Sequence, residues 1–159
     1  MWRGCILGLQ KQRNRKLKLA DKKATKSGFS DAERQAMKDR AKELREFKKL
    51  SGEEQVALKI AEMSKPDQKL AKAIHKLVLG ISPELTTQTW YGMPAYYLKG
   101  KIICFFQAGS KFESRYSTFG FQPAANIDDG VFWATSFAIT ALDDDTAKKI
   151  TKLVKKAIS

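Results

Sequence analysis

The chain has 159 residues, 43% of them hydrophobic and 10% aromatic, enough for one globular domain to bury its own core. That composition excludes wholesale disorder, and no run approaches the roughly 20 apolar residues of a membrane helix. The net charge is +13, and residues 1–28 alone hold nine Lys/Arg against one acid, Asp21, for a local +8.

That leader, rich in Lys and Arg with few apolar anchors, reads as a flexible segment able to touch nucleic acid or anionic membrane non-specifically, or as a solvated tail. Residues 29–159 read as a single α+β domain. Ser30 and Glu33 form a capping box, with Phe29 as the staple residue before the cap, and predict a helix over 30–49. Met37, Ala41, Leu44 and Phe47 recur along it at helical spacing. Ser51 and Glu54 repeat the signature and start a helix over 52–63, striped by Val56, Ile60 and Met63. Pro66 opens a third helix over 66–79, with Leu70, Ile74, Leu77 and Val78 inward and Gly80 at its end.

Beyond Gly80 the period changes. "ISPELTTQ" reads as a loop, and four strands are expected within 94–140: "AYYL", "IICFF", "RYSTFGF" and "VFWATSFAIT". "KGK" makes a hairpin between the first two, with Gly100 at positive φ. A helix over 143–158 closes the chain, with Asp143–Asp145 near its N-terminus, Ile150, Leu153, Val154 and Ile158 on its apolar face, and five lysines on its wet one. The expectation is a two-layer fold: N-terminal helices, a four-stranded antiparallel meander and a C-terminal helix.

Few residues suggest chemistry. His75 is the single histidine, and Cys5 and Cys104 match no metal-site or disulfide pattern, which points to a reducing cytoplasm. No catalytic signature is present, so the chain reads as non-enzymatic with no cofactor. Residues 90–137 hold thirteen of the sixteen aromatics, so any small ligand or protein partner is expected there. The candidate site surrounds the Gly92-Met93-Pro94 turn: Tyr91 and Tyr96 supply hydroxyls, Trp90 and Trp133 apolar walls, with Met93 beside them. A base-stacking platform on these strands is the competing reading, but "IICFF" is too continuously apolar for an exposed one.

"TWYGMPAYYLKGKIICFF", "KFESRYSTFGF", "AANIDDG" and "FWATSFAI", in that order, resemble the YdhG-like family, domain of unknown function 1801. The likeness covers about residues 29–158 and departs from the family at Ala134, where members usually carry Pro. It implies a small cytoplasmic α+β domain with an antiparallel sheet. Some members are called frataxin-like iron chaperones, which implies iron on hard oxygen ligands. Here those would be Glu84, Asp128, Asp129, Asp143, Asp144 and Asp145, working against the field of a +13 protein.

Overall fold

The computed structural model describes residues 30–159; the basic leader, Cys5 and Phe29 lie outside the described residues. Four helices and five strands follow in order: α1 (Asp31–Lys49), α2 (Gly52–Ala61), α3 (Lys65–Leu79), β1 (Leu85–Trp90), β2 (Met93–Leu98), β3 (Lys101–Gln107), β4 (Ser117–Phe121), β5 (Ser136–Ile139) and α4 (Asp144–Ala157). A single 3-10 turn, Ser110–Phe112, links β3 to β4.

The helix starts obey their capping chemistry. At α1 and α2 the serine hydroxyl accepts the N–H three residues on, and the glutamate there accepts the N–H of the serine. Ser64 caps α3 and Asp143 caps α4, the latter accepting the Thr146 N–H at 2.8 Å. Helix α1, however, buries none of its side chains, and Met37 and Leu44 are about half exposed. The chain divides between Glu46 and Phe47, and the unit carrying the sheet begins at Phe47.

The sheet is an antiparallel meander in the order β1-β2-β3-β4-β5, one strand more than the sequence pattern suggests. The extra strand is β1, whose first four residues fall in the stretch that reads as a loop. Its inward residues are Leu85, Thr87 and Thr89, and the two threonines hide the apolar alternation that marks a strand. Thr87 Oγ1 donates to the Ala95 carbonyl at 2.9 Å, and Thr89 Oγ1 donates to Gln55 Oε1 at 3.1 Å. Side-chain hydrogen bonds thus satisfy polar groups that burial would otherwise penalise. The last strand is shorter than expected: Val131, Phe132 and Trp133 belong to the preceding loop, and pairing begins only at Ser136.

Direct cross-strand partners share a face. Thr87, Tyr96, Cys104 and Phe121 form one row toward the helices, and Phe106, Phe119 and Phe137 the next. With Val56, Ile60, Ile74 and Val78 from α2 and α3 and with Ile150 and Val154 from α4, the apolar members of these rows other than the half-exposed Phe137 make the core. On the opposite face the Phe105 ring lies over Gly120, where an added Cβ would come within 2.4 Å of the ring. A glycine inside a strand is here the floor of an aromatic contact. Among the described residues no helix is long and apolar enough to cross a membrane.

Candidate functional site

The aromatic set expected around the Gly-Met-Pro turn is divided by the sheet. Trp90 and Met93 pair directly at the ends of β1 and β2, and Tyr91 and Gly92 form the two-residue turn, both at positive φ. The Trp90 ring packs on Tyr91 at 5.0 Å and on Phe105 at 5.4 Å. Tyr96 faces the helices and is completely buried, its hydroxyl 3.4 Å from His75 Nδ1. Trp133 stands in the β4–β5 loop and shares no ring contact with the other four among the described residues. The turn does border a cavity of about 350 Å³, but Gly92 is its one residue from the turn; Lys59, Glu62, Met63 and Lys111 make its walls.

His75, Tyr96 and Cys104 meet beneath α3 without gaining reactivity. Burial pushes the His75 pKa down, partly opposed by Glu53, and pushes the Tyr96 hydroxyl and the Cys104 thiol well up. All three are therefore neutral, and a buried thiol is a poor nucleophile. Asp67 is a different case: burial raises its pKa, but hydrogen bonds from Ser110, Ser117 and Ser64 outweigh this and hold it below the usual carboxylate range. Those bonds fasten the start of α3 to the 3-10 turn and to β4.

The six acids of the iron reading are not gathered. Asp143 is occupied as the α4 cap, Asp145 pairs with Lys148 at 3.8 Å, Asp128 and Asp129 lie in the β4–β5 loop, and Glu84 precedes β1. Among the described residues no three His, Cys, Asp or Glu side chains stand close enough together to hold a metal ion.

The larger concavity lies elsewhere, between β5 and α4, with a volume of about 750 Å³. Small-molecule sites usually occupy roughly 300–1,000 Å³. Its floor is Phe119, Phe137, Ile139, Ile150 and Leu153, and its rim carries Lys149, Lys152 and Lys156. Periodicity explains the lining. Ile150, Val154 and Ala157 turn into the core, whereas Thr146, Lys149, Leu153 and Lys156 recur at three- and four-residue spacing on the flank facing β5. Edge strand β5 leaves Phe137 36% exposed even though its partner Phe119 is buried.

Among the described residues none of the three rim lysines is in an ion pair. Lys156 Nζ donates to the backbone carbonyls of Asp128 at 2.9 Å and Ile127 at 3.3 Å, bonds that leave its charge uncompensated. An apolar trough under three ammonium groups is complementary to a molecule with an apolar body and an anionic end. Sequence reading places Phe137 in a strand, Leu153 on the apolar face of the closing helix and the lysines on its wet face; their convergence depends on the separation of β5 from α4, which no local pattern encodes. Comparison of the chain with family models, with curated proteins and with solved structures finds no match.

Proposed function

We propose that the protein is a non-enzymatic binding module that takes a small amphiphile, an apolar chain ending in a carboxylate or phosphate, into the β5–α4 groove. One observation carries this reading: five apolar side chains and three lysines in no ion pair among the described residues line the same cavity. The raised pKa values of the buried Tyr96 hydroxyl and Cys104 thiol support binding rather than catalysis, because neither offers a nucleophile near neutral pH. A cytoplasmic setting belongs to the same reading, supported by the free, buried Cys104. Membership of the YdhG-like family is likewise a proposal, carried by the four motifs and by an α+β fold with helices preceding an antiparallel meander.

The test is calorimetry with dodecanoate, dodecanol and dodecyltrimethylammonium below their micelle concentrations. Saturable binding of dodecanoate, weaker binding of the alcohol and weakest binding of the cation are expected. Leu153→Asp should abolish the dodecanoate signal, and Lys149→Gln with Lys152→Gln should weaken it about tenfold, or ~1.4 kcal/mol. Equal binding of all three amphiphiles, or dodecanoate binding that survives Leu153→Asp, would reject the groove as the site.

A further inference from the structure

We propose that the tip of the β4–β5 loop, together with the lysine stripe of α4, docks the protein on an anionic lipid bilayer. Val131 is fully exposed and Phe132 is 91% exposed, side by side just after Gly130, which turns the chain at φ +65°. Burying such side chains is favourable. The fold leaves that gain unrealised, because both ends of the loop are fastened. The Phe121 N–H donates to the Thr135 carbonyl at 2.7 Å, and Lys156 holds the carbonyls of Ile127 and Asp128. An apolar phase beyond the described residues would realise it.

The second feature is charge at the root of that loop. Lys149, Lys152 and Lys156 fall at i, i+3 and i+7 and so form a stripe along α4, whose last member grips the loop itself. Shallow apolar insertion and a basic patch are each marginal alone and together hold a peripheral protein on an anionic membrane. Each lysine close to such a surface adds to the attraction. A protein partner is the weaker fit, since a stable interface covers roughly 800 Å² on each side and this tip protrudes only two large apolar side chains. Asp128 and Asp129, exposed beside the tip, oppose the attraction; the three lysines of the stripe and Lys155 outnumber them.

The experiment uses the full chain and phosphatidylcholine vesicles with and without phosphatidylserine, and it does not depend on the groove being filled. Sedimentation with the serine-containing vesicles is expected, and it should fall about tenfold in Val131→Ser/Phe132→Ser at an unchanged melting temperature. Asp128→Asn/Asp129→Asn should strengthen it. The indole introduced by Phe132→Trp should be quenched by brominated acyl chains beyond the quenching of the parent chain. The proposal is overturned if Val131→Ser/Phe132→Ser sediments like the parent, or if the added indole escapes quenching while the protein pellets, because basic residues alone would then account for the binding. Equal sedimentation with both vesicle types would equally overturn the part assigned to the lysines.

Discussion

Tyr96 and Phe137 both point from the sheet toward the helices, yet the first is completely buried and the second is 36% exposed. The half of the sheet built from β1 to β3 lies under α2 and α3, close enough that a Cβ added at Gly52 would come within 1.9 Å of the Thr87 carbonyl oxygen. The β4–β5 half meets α4 across an open trough instead. Similar aromatic residues therefore do different work: where helix and sheet close on each other they hold the fold together, and where they stand apart they line a cavity. Stability should accordingly concentrate in one half and binding in the other.

The sharpest way to break that contrast is to truncate one ladder row at two points. Phe106→Ala should cost about 4 kcal/mol in urea denaturation, the usual penalty for emptying a packed site, whereas Phe137→Ala should cost about 1.5 kcal/mol because water already reaches it. Equal losses would mean that the groove is as much core as the rest. Next in size, Gly52→Ala should lower stability by about 3 kcal/mol, since the obstructing atom is backbone and cannot swing aside. A melting temperature unchanged by that substitution would show that α2 and β1 are not in such close contact.

A smaller effect separates the halves by pH. His75 lies under the sealed half with its pKa below the ordinary 6.5, so the unfolded chain takes up a proton that the folded chain refuses. Stability should be greatest above pH 6.5, fall as pH drops toward the lowered folded value and then level off, and His75→Gln should flatten that stretch of the curve. Asp67, with a lowered carboxyl pKa, stabilises the fold above the ordinary carboxylate value of 3.8, a contribution lost as pH falls through its lowered one. Asp67→Asn should therefore blunt acid unfolding without changing the His75 step. The smallest change is a gain: Tyr91 is 82% exposed at φ +49°, a conformation asparagine tolerates better, so Tyr91→Asn should add about 0.5–1 kcal/mol in thermal unfolding.

Much of this was legible before any coordinates. The capping boxes at Ser30 and Ser51, the Gly100 hairpin and the helical stripes of α2, α3 and α4 are local signals, set by residues three or four apart, and the structure places each where its chemistry requires. The illegible parts involve partners far apart in the chain. β1 is masked because Thr87 and Thr89 bury hydroxyls satisfied by Ala95 and Gln55, which are remote in sequence. The Trp90–Trp133 site is illegible for the same reason, since composition clusters aromatics without revealing that Tyr96 faces one side of the sheet and Trp90 with Met93 the other.

Sequence alone determined the helices, the caps at Ser30 and Ser51 and the strands other than β1, because capping, periodicity and turn chemistry act over a few residues. Tertiary structure decided that α1 would bury nothing, that Val131 and Phe132 would stand in solvent, and that Phe137 and Leu153 would face each other across an open groove beneath lysines. Burial and concavity are properties of how elements are spaced, and that spacing is set by side chains distant in sequence filling the same volume.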